Sequence, residues 1–99
     1  MYNVIVNEEI QIYLLGVENY YRFNNYCLKK LIRLNKKFIN TLKNLAEFPY
    51  LYNEVEENID IRKIVVEDYV FLYKVIEEKK EVRILRVYNT KEMRIIKTL

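Results

Sequence analysis

Hydrophobic positions follow two rhythms along this chain, and the change from one to the other outlines its fold. Residues 2–6 (YNVIV) have the β-branched and aromatic content of a short strand. From Ile10 the rhythm lengthens: Ile10, Tyr13, Leu14, Val17, Tyr20 and Tyr21 recur at steps of three and four, which predicts a helix to about Phe23. Asn7 stands at its start as an N-cap, and Glu8 and Glu9 place negative charge against the positive end of the helix dipole. Asn24-Asn25 breaks the pattern. A second helix is expected over residues 26–47, where Leu28, Leu31, Ile32, Phe38, Ile39, Leu42, Leu45 and Ala46 form one apolar stripe interrupted only by Asn35. Lysines and Arg33 take the opposite face. Phe48-Pro49 ends the helix, because proline biases the residue before it away from the α region.

Residues 50–60 (YLYNEVEENID) are acidic and aperiodic, the signature of a surface loop. Three β-rich runs then follow closely at 61–67, 69–77 and 81–89, separated by breaks at 67–68 and 78–80 that are short enough for hairpins. Residues 90–99 fit a short strand or a helical turn equally well. The predicted class is α+β in the order β-α-α-β-β-β, a helical hairpin packed on an antiparallel sheet. At 99 residues the chain has room for one domain spanning 1–99.

Composition narrows the function by exclusion. With 52% hydrophobic and 31% charged residues the chain is neither disordered nor membrane-embedded. Its apolar runs, such as 10–17 with Gln11 inside, fall far short of the ~20 residues that span a bilayer. No signal peptide is expected, since Glu8-Glu9 follows where an apolar core should run. A single cysteine, Cys27, fits a reducing cytoplasm and reads as a small packed residue at a helix start. The absence of histidine removes imidazole as a base or metal ligand, and one cysteine leaves no set of soft ligands for zinc. Gly16, the only glycine, excludes glycine-rich phosphate loops. No metal, cofactor or small-molecule substrate is expected.

The net charge of +3 conceals segregation: residues 1–28 sum to −2, 29–46 to +6 with no acid, 47–60 to −5, and 61–99 to +4. Lys29, Lys30, Arg33, Lys36 and Lys37 therefore form a cationic face that suits an acidic protein segment or a nucleic acid. Among single residues, the planar fork of Arg62 suits bidentate contacts to phosphate or protein, or pairing with a nearby acid that pins the sheet. Strict alternation places Arg83 and Arg86 on opposite faces of their strand, and Arg86 is the favoured one. Tyr69, Tyr73 and Tyr88 are candidate stacking platforms or proton donors, with packing the default use. Glu54, Glu56, Glu57 and Asp60 read as solvated loop acids.

These features resemble the RelE/ParE superfamily, the toxins of bacterial type II toxin–antitoxin systems. The resemblance rests on the order of elements, on Phe48-Pro49 after the helical hairpin, and on IRKIVVEDYVFLYKV (61–75) followed by VRILRVYN (82–89). Its most specific part is Arg62, Ile64-Val65-Val66, Tyr69 and Tyr73. RelE-like members cut mRNA in the ribosomal A site, whereas ParE-like members inhibit DNA gyrase. RelE-like nucleases usually carry an arginine directly after the first strand tyrosine; here Val70 stands there. Near the last strand the family often has His or Tyr before a basic pair; here the run is Asn89-Thr90-Lys91-Glu92, which keeps only Lys91. The resemblance thus implies a ParE-like growth inhibitor of plasmid-stabilization type. It would bind a macromolecular target, gyrase first, and be neutralised by a cognate antitoxin. The enzyme alternative is a ribosome-dependent endoribonuclease in which Arg62, Arg86 and Lys91 stabilise phosphate charge and Tyr73 assists proton transfer. A further alternative is a degenerate member that binds only its antitoxin.

Overall fold

The computed structural model describes residues 1–23, 28–56 and 58–91. Its elements are β1 (Asn3–Val6), α1 (Glu8–Phe23), α2 (Leu28–Glu47), β2 (Glu54–Val55), β3 (Asn58–Val66), β4 (Tyr69–Ile76), a 3-10 turn (Glu77–Lys79) and β5 (Glu81–Asn89). The expected order is present, with one short strand added. Cys27, the start of the second helix at 26–27 and residues 92–99 lie outside the described residues.

The five strands form one sheet in the order β1-β5-β4-β3-β2. Neighbouring strands are antiparallel except that β1 runs parallel to β5, so the sheet is mixed. Val4 and Val6 pack against the core beside Val82 and Ile84, their partners in β5. A pairing between residues about 80 positions apart leaves no local trace in sequence. The stretch 50–60, expected as a loop, contains β2 and the start of β3. Of its acids Glu54 sits on a two-residue edge strand opposite Arg62, where charge is tolerated because one side of the strand is open, Glu56 follows in a turn, Asp60 belongs to β3, and Glu57 lies outside the described residues.

Asn7 caps α1 as expected: its Oδ1 accepts the backbone N–H of Ile10 at 2.9 Å. On α2 the buried line is Leu31, Leu34, Phe38, Thr41 and Leu45. The expected stripe is therefore rotated, since Leu28, Ile32 and Ile39 are each more than half exposed. Thr41 joins the buried line because its hydroxyl donates to the Lys37 carbonyl at 2.8 Å and is satisfied there. Phe38 packs edge-on against Tyr69 and Phe71, with centroids 5.6 and 5.3 Å away. Around it Ile10, Leu34 and Leu45 meet Ile64, Val66, Tyr73, Val82, Ile84 and Val87 from the helix-facing side of the sheet. Among the described residues no helix packs on the other side of the sheet, its uncovered face.

Candidate functional site

The uncovered face of the sheet follows from register. Val82, Ile84 and Val87 all face the core, so the alternation of β5 shifts by one residue between Ile84 and Val87. The cause is a bulge: Ile84 pairs with Tyr73 and Arg86 with Leu72, which leaves Leu85 as the extra residue. Arg83 and Arg86 therefore both stand on the uncovered face. This corrects the expectation that strict alternation separates them. One row across three strands reads Ile5–Arg83–Lys74, the next Arg86–Leu72–Lys63, and the third Tyr88–Val70–Val65, in which Val70 is itself buried. Four cations, all exposed, thus share a surface with apolar Leu72, Val65 and Leu85. Arg83 lies 3.7 Å from Glu81, and the Arg86 guanidinium sits 5.5 Å from the Tyr88 ring. Arg83 directly faces Lys74 across the strand pair, an arrangement that destabilises a sheet and favours an anionic partner.

Arg62 and Tyr73 are committed elsewhere. The Arg62 guanidinium donates to the Tyr52 carbonyl at 2.6 Å, lies 3.4 Å from Glu54 and stacks on Tyr50 at 5.1 Å. Tyr73 is fully buried, and its hydroxyl donates to the Pro49 carbonyl at 2.7 Å. Burial pushes its phenol up to about 12, so the proton stays on oxygen at neutral pH. Both side chains hold the segment that follows the helical hairpin against the sheet. By geometry these contacts are structural ones, the pinning use that the sequence also allowed for Arg62 and the packing use it allowed for Tyr73. Removing the Arg62 fork leaves the Tyr52 carbonyl without its donor: Arg62→Ala is expected to lower stability by about 2 kcal/mol in urea unfolding, with Arg62→Lys recovering only part of it.

The same segment is fastened from its other end by a carboxylate. Glu77 accepts hydrogen bonds from Lys80, from Tyr50 at 2.5 Å and from Tyr2 at 2.8 Å. These donors hold its carboxyl at about 2, well below the ordinary 4.5, and the bond to Glu77 pushes Tyr50 up to about 12. A carboxylate depressed in the folded chain stabilises it above the unfolded value and loses that contribution as the pH falls through the folded one. The stability difference between the native chain and Glu77→Gln should therefore be constant above pH 5 and vanish between about 4.5 and 2, as read by urea midpoints across pH.

On α2, two of the five expected partner-binding cations are already engaged. Lys37 lies 2.5 Å and Arg33 3.6 Å from Glu67, whose carboxyl they lower. Glu67 sits in the β3–β4 turn at φ 55°, in the left-handed region. Lys30 stands 5.7 Å from the Tyr21 ring. Lys29 and Lys36, with Lys43, repeat every seven residues along the exposed side of α2. Lys91 pairs with Asp68 at 3.4 Å, beside a cleft of about 600 Å³ lined by Tyr13, Tyr20, Tyr21, Tyr69 and Lys30 among others. Of the candidate catalytic residues only Arg86 reaches the uncovered face. Sequence reasoning set Arg83 on the face opposite Arg86 because the bulge has no glycine to announce it, and it did not single out Lys63 and Lys74.

Residues 14–94 match the family described as ParE toxin of type II toxin-antitoxin system, parDE. The fold is similar to the crystal structure of the isolated E. coli RelE toxin in its P21 form. That similarity has a TM-score of 0.56 at 19% identity and covers 100% of both chains. It also resembles the solution structure of the conserved hypothetical protein HP0892 from Helicobacter pylori, with a TM-score of 0.49 at 14% identity, over 94% of this chain and 99% of that one. No curated protein matches the chain significantly. Among the described residues no helix is long and apolar enough to cross a membrane.

Proposed function

The chain belongs to the ParE toxin family of type II toxin–antitoxin systems, and from that membership we propose that it arrests growth by binding a macromolecular target through the uncovered face of its sheet, with DNA gyrase the first candidate. The observation that carries this reading is the row in which Arg83 stands opposite Lys74, next to a row holding Arg86 and Lys63. Like charges kept face to face oppose folding and reward an anionic ligand, whether DNA or an acidic protein surface. Leu72, Val65 and Leu85 between them add the apolar contact that a protein–protein core requires.

Binding is favoured over catalysis because the residues needed for phosphate chemistry are divided. Tyr73 is sealed in the core, Arg62 holds carbonyls, and Lys91 is paired with Asp68 at the far end of β5. A general acid or base has to reach the proton it moves within about 3 Å, and a sealed phenol bonded to a backbone carbonyl does not. The family implies an antitoxin, and its acidic segment is proposed to dock on the exposed side of α2 at Lys29 and Lys36, flanked by Lys30, Arg33 and Lys37. Charge reversal at Lys29, Lys36 and Lys43 is then expected to weaken antitoxin binding at least ~10-fold, with the growth arrest of free toxin unchanged.

The test uses purified components. Added to gyrase and relaxed plasmid, the protein is expected to stop supercoiling or trap cleaved DNA. Added to programmed ribosomes, it is expected to leave mRNA whole. Ribosome-dependent cleavage with gyrase unaffected would overturn the proposal and return Arg86 and Lys91 to a catalytic role.

A further inference from the structure

We propose that the cleft between α1 and the far end of β5 binds a nucleotide, with the base held by tyrosine rings and the phosphate by lysine. The cleft has a volume of about 600 Å³, inside the range of about 300–1,000 Å³ that encloses a small molecule. α1 supplies one wall. The β3–β4 turn and the end of β5 supply the other through Asp68 and Lys91, and Lys30 joins them from α2. Lys63, Lys74, Arg83 and Arg86 do not line it, so this site is separate from the sheet face to which growth arrest is assigned.

The wall on α1 is spaced for a flat ring. Tyr13 and Tyr20 both line the cleft and lie seven residues apart, about 10.5 Å along the helix axis. A ring touching an aromatic on each face needs about 7–8 Å, from two contacts of about 3.5–4.0 Å. The spacing therefore suits one inserted ring. Gly16 and Val17 stand between the two tyrosines. A side chain added at Gly16 would meet nothing within 4 Å, so it would fill the cleft rather than strike the protein. Glycine weakens a mid-helix position relative to alanine, and no contact among the described residues accounts for it here. A ligand seated against the helix backbone does. Tyr20 is 54% exposed and meets the Tyr21 ring edge-on at 5.8 Å, so the pair forms a braced stacking platform.

Charge selects the other half of the ligand. The Lys30 ammonium stands 5.7 Å from the Tyr21 ring, beside the platform. Lys91 lies 3.4 Å from Asp68, whose carboxylate it neutralises. Two ammonium groups against one carboxylate leave the lining with one net positive charge. A single surplus charge at an exposed site holds bare phosphate poorly, yet it orients a phosphate whose base is already stacked. The cleft thus favours a nucleotide over inorganic phosphate, which has no ring, and over an uncharged aromatic molecule, which leaves Lys30 unused.

Equilibrium dialysis of the chain made by cell-free synthesis tests the proposal, with far-UV circular dichroism confirming the fold of each variant. At least one of the four ribonucleoside 5′-monophosphates is expected to bind with a Kd of ~1 mM or tighter. The matching nucleoside should bind ~3-fold more weakly, and inorganic phosphate at least ~30-fold more weakly. Tyr20→Ala should weaken nucleotide and nucleoside alike, by at least ~5-fold. Lys30→Ala should instead bring the nucleotide down to the nucleoside and leave the nucleoside unchanged. Gly16→Leu should abolish binding of both while raising helix stability, which separates a filled cleft from lost folding. Charge reversal at Lys63, Lys74, Arg83 and Arg86 should leave nucleotide binding intact, whatever it does to growth arrest. A single-stranded tetranucleotide with a 5′-phosphate identifies the source: affinity at least ~10-fold above the mononucleotide assigns the cleft to a strand end, and equal affinity to the free nucleotide. Either result bears the proposal out. It is overturned if none of the four binds, if inorganic phosphate binds equally well, if binding survives Gly16→Leu, or if the four charge reversals abolish it.

Discussion

Tyr73→Ala should lower the melting temperature by about 12 °C or more, the largest stability loss expected of any side chain in this fold. The side chain is fully buried between α2 and the sheet, opposite Ile84 of β5. Truncating a buried aromatic to alanine costs about 3–5 kcal/mol, and a domain of this size loses about 4–8 °C per kcal/mol. The hydroxyl carries a smaller share. Tyr73→Phe leaves the Pro49 carbonyl unpaired and should cost about 1–2 kcal/mol, loosening the segment that follows the helical hairpin. Because no atom of Tyr73 reaches the surface, Tyr73→Phe should still arrest growth when expressed. A folded Tyr73→Phe chain that has lost toxicity would contradict the scaffold role.

Reversing the four cations of the uncovered face has the opposite profile. Lys63→Glu, Lys74→Glu, Arg83→Glu and Arg86→Glu together should weaken target binding at least ~100-fold, since each cation close to an anionic partner contributes on the order of 1 kcal/mol. Stability should change little: exposed substitutions usually stay within about 0.5 kcal/mol each, and reversing both Lys74 and Arg83 exchanges one facing like-charge pair for another. Binding of the native chain should also weaken with added salt, as it does for exposed charges. Thermal melts beside an affinity titration against the isolated target separate the two effects. Loss of folding without loss of affinity would reverse the account.

The two predictions divide what sequence revealed from what it hid. The helical hairpin, the capped start of α1, the stop at Pro49 and the three long strands are written in local periodicity, so they can be read directly. The resemblance to toxins came from Arg62, Tyr69, Tyr73 and the strand around them, and the match over 14–94 places the chain in that family. What was hidden depends on distant pairing. That β1 joins β5 in parallel, and that two residues of β2 extend the edge, are contacts without local signature. The rotation of the α2 stripe turned on Leu34 and Thr41, the second of which enters the core only because its hydroxyl finds a carbonyl within the same helix. For the site, one bulge at Leu85 changed the grouping of arginines, and Arg62 and Tyr73, conspicuous in sequence, are bonded to backbone carbonyls of the segment after the hairpin. Residues that make a family recognisable need not be the ones that touch its target.

The most direct test of the central claim is the order in which syntheses fail after the protein is induced alone in bacteria, followed by pulse labelling through the first minutes. A toxin that binds gyrase is expected to stop DNA synthesis first, with translation intact, and its four-cation variant to stop neither. Translation failing first, with cut mRNA on the ribosomes, would contradict the account and make the chain a nuclease.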